Sequence, residues 1–366
     1  MRTRLIAENQ PPAALILAAG ESRRFWPLSA TQHKSLFRLA GVSLLERTIG
    51  SLIKAGVHEI VVVQSPRSLY SNSGKAVLPS DCIPPDYGGG SLTFAEQPVP
   101  AGQGDAILRT AHLLGESFFV VQPENINAGD IAIELLHTAA PGDVAVVAGQ
   151  ARADYSLYAV LQHQGERLTA ITEKPSAAAI PEPLCSMGVY LFHRAFTGYL
   201  ADFEPDPLSI VFAIDQLARA GKASVAASSH EFLPLKYPGH LWAYARFLDL
   251  VRPAADGLGG EPVNADGFPA DRGDCIISED CAIGDDVSLR NAILAPGVVI
   301  GSGATVRGGA EWNDLDAVVI GQGATIGANV TIAPRVRIGV GATIGNGLRI
   351  DADVADMTTL ELAVRA

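Results

Sequence analysis

Residues 320–350 read IGQGATIGANVTIAPRVRIGVGATIGNGLRI, and this stretch decides the fold of the C-terminal part of the chain. Isoleucine recurs at every sixth position, and glycine directly follows four of these isoleucines, as Gly321, Gly327, Gly339 and Gly345. A six-residue period of this kind is typical of a parallel β-helix with three short sides per coil. Each aliphatic side chain is expected to point into a narrow prism, and each glycine to permit the tight corner beside it. We therefore predict a three-sided, left-handed parallel β-helix.

The same period continues upstream with other aliphatic residues. These are Ile277, Ile283, Leu289 and, after a slip of one residue, Leu294, Ile300 and Val306. Twelve hexads at three per coil predict about four coils over residues 274–352, followed by a tail over 353–366. The step from Val306 to Ile320 is fourteen residues, so eight extra residues around Trp312 are expected to bulge from one corner. A β-sandwich with coincidental spacing is the alternative, and six isoleucines in phase argue against it.

Upstream of the repeats the composition changes. Residues 251–273 are rich in proline, glycine, alanine and aspartate, which is typical of a linker. In residues 1–250, short apolar runs alternate with amphipathic segments, which predicts an α/β domain with a mostly parallel sheet covered on both faces. The predicted strands are Leu15–Ala18, Ile60–Val63, Phe118–Val121 and Val144–Val147, and the predicted helices include Leu44–Ala55 and Asp105–Leu114. Ligands of such sheets bind beyond the carboxyl ends of the strands.

Composition and charge exclude several classes of partner. The 366 residues are 48% hydrophobic and 18% charged, which is enough for a buried core. The formal net charge is −12, and an acidic surface repels phosphate backbones, so neither nucleic acid nor a membrane is an expected partner. No signal peptide or membrane span is evident, so a cytoplasmic protein is expected. The cysteines show no metal spacing and are expected to be reduced thiols, at Cys82, Cys185, Cys275 and Cys281.

The loop after the first predicted strand carries candidate phosphate-binding groups. Residues 17–36 read LAAGESRRFWPLSATQHKSL. A glycine-containing turn lets backbone N–H groups approach a phosphate, and Arg24 and Lys34 lie in and just beyond this turn. Both cations can neutralise a polyphosphate, although loop cations are commonly only solvated. The loop is not a P-loop, since GKS and GKT are absent, and it is not a GxGxxG dinucleotide motif.

This loop resembles the signature of the sugar-1-phosphate nucleotidyltransferases, LAAG-x-x-x-R-x-x-PL followed by K-x-L. The resemblance implies a Rossmann-like nucleotidyltransferase domain in which Ala19 and Gly20 bind the substrate nucleotide. It also implies that Arg24 and Lys34 hold the triphosphate and the sugar phosphate. The Gly-Thr pair that usually precedes the arginine is replaced by Ser22-Arg23, which keeps the length of the loop and reduces its flexibility.

A later segment, EQPVPAGQGDAIL, resembles the family's Q-x-x-x-x-G-T-A-x-A segment. The resemblance implies that Gln97 reads the base and that Gly102 lies beside the nucleotide. Glutamine suits this role because its amide offers both a donor and an acceptor to a base edge.

Three further segments resemble the family's sugar-binding segments, in the same order along the chain. LYAVL resembles the Y-G-V segment, with Ala159 where glycine is usual. ITEKP implies that Glu173 contacts the sugar hydroxyls and that Lys174 contacts the sugar phosphate. SMGVYLF resembles the family's G-x-Y strand and implies that Gly188 lies beside the sugar.

The expected magnesium site departs from the family pattern. The strand that usually ends in Gly-Asp runs here into Gln122-Pro123-Glu124-Asn125, so Glu124 takes the position of the Mg²⁺ ligand. Mg²⁺ demands near-octahedral geometry, and a displaced ligand can cost about a hundredfold in rate. Lys236, in LPLKYPGHLWAY, stands where a second ligand is expected. A lysine cannot ligate the metal, but it can supply positive charge at the phosphates.

The resemblance implies an enzyme that joins an NTP and a sugar 1-phosphate into an NDP-sugar and pyrophosphate. Arg24 and Lys34 would stabilise the pyrophosphate, and a homo-oligomer is expected because packing of β-helix prisms would cover apolar surface. The alternative is a weak or inactive homologue that binds nucleotide sugars as a regulatory protein, which the altered metal site favours. An acyltransferase β-helix is disfavoured because all eight histidines lie at or before His240, which leaves the helix without a general base.

Overall fold

The computed structural model describes residues 12–66, 90–175, 183–250, 252–253, 260–261, 275–278, 280–309 and 316–361. Cys82, Trp312 and most of the predicted linker lie outside these residues, and what the sequence predicts for them stays a prediction. No helix in the described part of the chain is both long enough and apolar enough to cross a membrane.

The N-terminal two thirds of the chain alternate strands and helices. The strands are β1 (Ala13–Ala18), β2 (Arg38–Leu39), β3 (Val42–Ser43), β4 (Glu59–Gln64), β5 (Ser91–Glu96), β6 (Ser117–Val121), β7 (Ala145–Ala151), β8 (Ala159–Gln164), β9 (Arg167–Glu173), β10 (Leu184–His193) and β11 (Ala223–Ala227). The helices are α1 (Leu44–Lys54), α2 (Gln103–Thr110), α3 (Ala128–Thr138), α4 (Phe196–Ala201), α5 (Ser209–Arg219) and α6 (Leu241–Phe247). The predicted strands and helices are all present, with bounds that differ by a few residues.

Nine strands form one sheet in the order β5-β4-β1-β6-β10-β7-β11-β9-β8. The first four are parallel, so their carboxyl ends meet at one edge. Every residue of β1 and β6 is buried, as expected for strands covered on both faces. The predicted α/β class is therefore confirmed.

The sheet becomes mixed beyond β6. β10 runs antiparallel to both β6 and β7, and β8 and β9 pair antiparallel with each other, whereas β7 and β11 are parallel. A two-residue turn at residues 165–166 joins β8 to β9, and only antiparallel strands allow a connection this short. The parallel arrangement expected from the sequence thus holds for β5, β4, β1 and β6 and for the β7–β11 pair, whereas β10 and the β8–β9 hairpin add antiparallel pairs.

The C-terminal strands stack into three parallel sheets, which are the three sides of a β-helix. The strands are β14 (Cys275–Ile277), β15 (Ala282–Ile283), β16 (Ser288–Arg290), β17 (Ala292–Leu294), β18 (Val299–Ile300), β19 (Thr305–Arg307), β20 (Val318–Ile320), β21 (Thr325–Ile326), β22 (Thr331–Ile332), β23 (Arg337–Ile338), β24 (Thr343–Ile344), β25 (Arg349–Ile350) and β26 (Thr359–Leu360). They follow a two-stranded pair, β12 (Arg252–Pro253) and β13 (Gly260–Glu261). The sides are β14-β17-β20-β23, β15-β18-β21-β24-β26 and β16-β19-β22-β25.

The predicted parallel β-helix of about four coils is confirmed, and pairing continues past residue 352 to Leu360. Eleven of the twelve predicted inward residues are buried, and Ile283 is half-buried. Each six-residue repeat forms one of the three sides of a coil, so one aliphatic side chain from each side enters a common core. Strand pairing shows the parallel arrangement, and the left-handed sense stays a prediction.

The glycines that follow the isoleucines have a different role from the one expected. None of the four lies in the left-handed region of the backbone map, so they are not needed to turn the corners. Instead, a Cβ on Gly321 would lie 2.7 Å from the backbone nitrogen of Val340, and one on Gly339 would lie 2.4 Å from that of Asp356. Glycine is required because the next coil approaches too closely for any side chain.

The chain divides into two compact units. The first, the sheet unit, contains residues 1–20 and 44–232, and the second, the helix unit, contains residues 21–43 and 233–366. The segment that follows β1 therefore groups with the β-helix rather than with the sheet from which it emerges.

Candidate active site

In the sheet unit, the loop after β6 meets an irregularity in β10. The pairing of β10 with β7 shifts register between Ser186 and Tyr190, and Gly188 lies in this bulge with φ +70°. Val189 pairs with Val121, the last residue of β6, so the bulge lies beside the Gln122–Asn125 loop. A Cβ on Gly188 would lie 2.9 Å from Cγ of Gln122. Glycine here permits both the backbone conformation and the close approach.

The Gln122–Asn125 loop is held by hydrogen bonds to neighbouring residues. The carbonyl of Pro123 accepts a hydrogen bond from Thr48 Oγ1 (3.0 Å), and Asn125 Nδ2 donates to the carbonyl of Met187 in the bulge (3.2 Å). Asn125 Oδ1 is buried and takes no hydrogen bond from the described residues. Glu124, between them, is itself buried, with 8% of its surface exposed. The candidate metal ligand thus sits in a fixed turn at the carboxyl end of β6.

Strand register places two of the predicted sugar-binding residues, Ala159 and Glu173, opposite each other near the start of β10. Ala159 pairs with Glu173, and the residue after Ala159, Val160, pairs with Cys185 of β10. Ala159 therefore lies one residue beyond the last β8–β10 pair, toward Ser186, and Glu173 lies across from it on β9.

Lys174 follows β9 in a left-handed conformation with φ +43°. Its backbone nitrogen donates to the carbonyl of Tyr158 (3.0 Å), and its ammonium lies 3.5 Å from a carboxylate oxygen of Glu173. About half of the Lys174 side chain is exposed, so the charge can reach a ligand. A non-glycine residue in this region costs of order 1–3 kcal/mol.

The pKa of Tyr190, two residues after Gly188, is shifted by the groups around it. Burial raises the pKa of Tyr190, the negative charge of Glu173 raises it further, and a hydrogen bond with Ser186 Oγ (3.2 Å) opposes both. The phenol therefore stays neutral and able to donate a hydrogen bond. The Gly188 backbone nitrogen also donates to Ser186 Oγ (3.4 Å), which links the bulge to this pair.

The side chain of Gln97, which directly follows β5, is held by hydrogen bonds to residues of its own loop and of α2. Its Nε2 donates to the carbonyl of Gly102 (2.9 Å) and to the carboxylate of Asp105 (2.8 Å), so both amide hydrogens have partners. Gly102 has φ +99°, and a Cβ there would lie 2.6 Å from the backbone oxygen of Asp206. The remaining polar atom of this amide is the acceptor Oε1.

The signature loop begins in the sheet unit and continues in the helix unit. Ala19 and Gly20 directly follow β1, and Ala19 is buried while Gly20 is exposed. In the helix unit the backbone nitrogen of Phe25 donates to the carbonyl of Ser22 (2.8 Å), which forms a tight turn that contains Arg24. Ser22 has φ +53°, a conformation that glycine adopts more readily than other residues.

Lys34 is positioned within the helix unit. His33 caps the turn at Lys34–Leu36, since its Nδ1 accepts from the backbone nitrogen of Ser35 (3.3 Å). The ammonium of Lys34 donates to the carbonyl of Leu235 (2.9 Å). The next residue, Lys236, donates its backbone N–H to His240 Nδ1 (2.8 Å). The two lysines assigned to the phosphates thus lie on neighbouring backbone.

The chain is similar to proteins of known family. The model of the nucleotidyl transferase family matches residues 13–232. The chain belongs to this nucleotidyl transferase family. The matched residues span β1 to the segment after β11, so the family assignment covers the whole nine-stranded sheet.

Two relatives have related names. The chain is 24% identical over 243 residues to UTP--glucose-1-phosphate uridylyltransferase 2 of Streptococcus pyogenes, covering 56% of this chain and 79% of the relative. It is 26% identical over 217 residues to UTP--glucose-1-phosphate uridylyltransferase AglF of Haloferax volcanii, covering 57% of this chain and 84% of the relative. The solved UDP-glucose pyrophosphorylase from Acinetobacter baumannii superposes with a TM-score of 0.53 at 19% identity, covering 64% of this chain and 92% of that one. This last likeness shows the fold alone.

The nucleotidyl transferase family pattern did not reveal every residue around the Gly188 bulge. Asn125, Ser186 and Tyr190 join the predicted residues around the bulge, and only contacts between distant strands reveal them. Asn125 directly follows the candidate metal ligand, which was the one available signal in the sequence. Among the described residues, no three histidine, cysteine, aspartate or glutamate side chains come together as ligands for a metal ion.

Proposed function

We propose that this member of the nucleotidyl transferase family transfers a nucleotidyl group from an NTP to a sugar 1-phosphate. An oxygen of the sugar phosphate attacks the α-phosphorus, the bond to the β-phosphate breaks, and pyrophosphate leaves. The observation that carries the proposal is the strand pairing of the sheet unit, which puts the Gly188 bulge beside the Gln122–Asn125 loop and Glu173 opposite Ala159 at the start of β8. These residues come from four separate segments, of which three resemble the family's sugar-binding motifs and the fourth stands where the family has its metal-binding Gly-Asp.

The proposed roles follow from charge and position. Lys174 anchors the sugar phosphate, and Glu173 accepts hydrogen bonds from sugar hydroxyls, with Gly188 beside the ring. Arg24 and Lys34 neutralise the polyphosphate, including the negative charge that remains on the pyrophosphate leaving group. Phosphoryl-group chemistry depends chiefly on positioning and charge stabilisation, and side chains of these types supply both.

The base is proposed to be uracil. The amide nitrogen of Gln97 is committed to Gly102 and Asp105, so only Oε1 remains for recognition. An acceptor at this point favours a base edge that presents an N–H, and the N3–H of uracil or thymine does so. The names of the two relatives make UTP and glucose 1-phosphate the first pair to test.

Mg²⁺ is proposed to act with the substrate rather than in a cage of protein ligands. Proteins commonly hold Mg²⁺ through one or two carboxylates together with substrate phosphates, and a single buried glutamate fits that arrangement. Glu124 would hold the ion, which would neutralise phosphate charge when bound. Lys236 is proposed to supply positive charge where a second ligand is usual in the family.

The deciding experiment measures pyrophosphate release from UTP and glucose 1-phosphate with and without Mg²⁺. Glu124→Gln keeps the size and removes the charge, so turnover is expected to fall at least ~100-fold, whereas Glu124→Asp is expected to retain it. Lys174→Ala is expected to weaken sugar-phosphate binding about 10-fold, because a charge-assisted hydrogen bond is lost. The control is Lys54→Ala, at the exposed end of α1, which is expected to change neither value. If the wild type released no pyrophosphate with any NTP, the proposal that the protein is an enzyme would be refuted.

The alternative function is binding without turnover. It is favoured by the glutamate at position 124 and the lysine at position 236, which depart from the family's metal site. A thermal-shift panel separates the two: a ligand at 100 times its Kd adds about 2.7 kcal/mol of stability. A shift with UDP-sugars in EDTA, together with no pyrophosphate release, would favour a regulatory binding protein.

We also propose a cytoplasmic homo-oligomer. The three flat sides of the β-helix suit packing against a second copy, and Val299 on one side is 42% exposed. Among the described residues Cys185, Cys275 and Cys281 form no disulfide bond, as in a reducing compartment. Light scattering that gives the monomer mass of 38.3 kDa at micromolar concentration would refute the oligomer.

A further inference from the structure

The signature loop is bonded to the β-helix within the helix unit. Trp26 Nε1 donates to a carboxylate oxygen of Asp356 (3.0 Å), although the two residues are 330 positions apart. Arg337 Nη1 donates to the carbonyl of Trp26 (3.2 Å) and to the carbonyl of Arg24 (3.4 Å). These three hydrogen bonds join the helix to the part of the loop that carries the proposed polyphosphate-binding arginine.

A fourth hydrogen bond lies further along the loop. Thr31 Oγ1 donates to Gln322 Oε1 (2.9 Å). We call Gln322, Arg337 and Asp356 the loop clamp. Its members lie on three successive levels of the β-helix, so the loop is bonded along the stack and not at a single point.

The clamp residues are themselves fixed by the coils. The Arg337 backbone nitrogen donates to Asp353 Oδ1 (2.8 Å), and the Val340 nitrogen donates to Asp356 Oδ1 (2.9 Å). Ile338, next to Arg337, is fully buried in the helix core and pairs with Ile320. A rigid repeat therefore presents the guanidinium and the carboxylate to a loop that has little regular structure of its own.

We infer that the loop clamp holds the signature loop in the conformation that binds the nucleotide polyphosphate. Arg337 and Asp356 are positioning residues: they hold the backbone at Arg24 and the ring of Trp26, while the exposed side chain of Arg24 is left for the ligand. Preorganising a loop removes the entropy cost of ordering it on binding. The β-helix thus contributes to nucleotide affinity, an inference that rests on the proposed function.

The test compares Arg337→Gln with Arg349→Gln. Arg349 is a matched control because it lies two hexads further on, in β25, and is bonded to Asp351. Calorimetry with UTP is expected to give about a 10-fold higher Kd for Arg337→Gln, with kcat little changed, and no change for Arg349→Gln. Arg337→Lys, which keeps one donor, is expected to recover part of the affinity, and Trp26→Phe is expected to weaken UTP binding a few-fold.

A second readout does not depend on nucleotide. The tryptophans are Trp26, Trp242 and Trp312, and Trp242 is 1% exposed. In a Trp312→Phe background, acrylamide quenching therefore reports Trp26. Quenching is expected to increase about twofold in Arg337→Gln and to stay unchanged in Arg349→Gln.

Unchanged quenching and unchanged Kd in Arg337→Gln would overturn the inference, as would an equal loss of affinity in both arginine variants. Increased quenching with unchanged UTP affinity would also overturn it, because the loop would then be held without consequence for binding. A wild type that binds no nucleotide refutes the proposed function. In that case the clamp itself stands or falls on the quenching result.

Discussion

Acid is expected to destabilise this protein through one buried histidine. His33 is 6% exposed and sits at the start of the turn that carries Lys34. Burial lowers the pKa of His33 from 6.5 to about 3, and the positive charge of Lys34 contributes to the lowering. Because Nδ1 accepts from the Ser35 backbone, the proton of the neutral ring is on Nε2.

The sign of the effect follows from the two pKa values. In the unfolded chain the pKa is near 6.5, so between pH 6.5 and about 3 the unfolded state binds a proton that the native state does not. Stability from this residue is fully present above pH 6.5 and is lost as the pH falls toward 3. One pH unit corresponds to about 1.4 kcal/mol, so at pH 5.0 the loss is about 2 kcal/mol.

Denaturant unfolding of wild type and His33→Asn at pH 7.5 and pH 5.0 measures this loss. Asparagine keeps an acceptor at the cap and cannot ionise. The wild type is expected to lose about 2 kcal/mol more than His33→Asn between the two pH values. His163→Asn, at an exposed hairpin, is the control and is expected to behave as wild type. An NMR titration that gives His33 a pKa above 5.5 would refute the reasoning.

Three further predictions concern the backbone and the cores. Ser22→Gly relieves a left-handed φ of +53° and removes a buried hydroxyl that has no partner among the described residues, so it is expected to stabilise by about 1 kcal/mol in denaturant unfolding. Gly102→Ala is expected to cost at least ~2 kcal/mol more than Gly142→Ala, because both have φ above +90° but only the first places a Cβ 2.6 Å from a backbone oxygen. Equal costs would contradict the clash. Ile338→Ala is expected to cost about 2–5 kcal/mol and Val299→Ala under 1, since the first side chain is fully buried and the second is 42% exposed; similar costs would contradict the inward assignment.

The repeat region shows how far periodicity alone can lead. The hexads predicted the β-helix, the number of coils and the inward residues, because in a solenoid each residue's environment is set by its phase in a short repeat. The same pattern misled on the reason for glycine. Whether a glycine turns a corner or avoids the next coil depends on residues some eighteen positions away, as at Gly321 and Val340.

Part of the candidate site was proposed from short motifs in the sequence. Gln97, Glu124 and Lys174 stand in segments compared with those of the family, and the structure places them after β5, β6 and β9. Asn125 and Tyr190 were not found, because their roles arise from a bulge in β10 that sets distant strands in register. Position in the chain carries no signal for a contact of this kind.

The sequence by itself determined a two-part organisation, the strand-and-helix alternation and the order of the family segments, because these depend on local hydrophobic period and on short motifs. Only the tertiary structure decided where the signature loop belongs. It follows β1 in the chain, yet it is bonded to the β-helix through Trp26, Arg337 and Asp356, more than 300 positions apart. Hydrogen bonds between such distant residues form only once both partners are folded, so no local pattern encodes them.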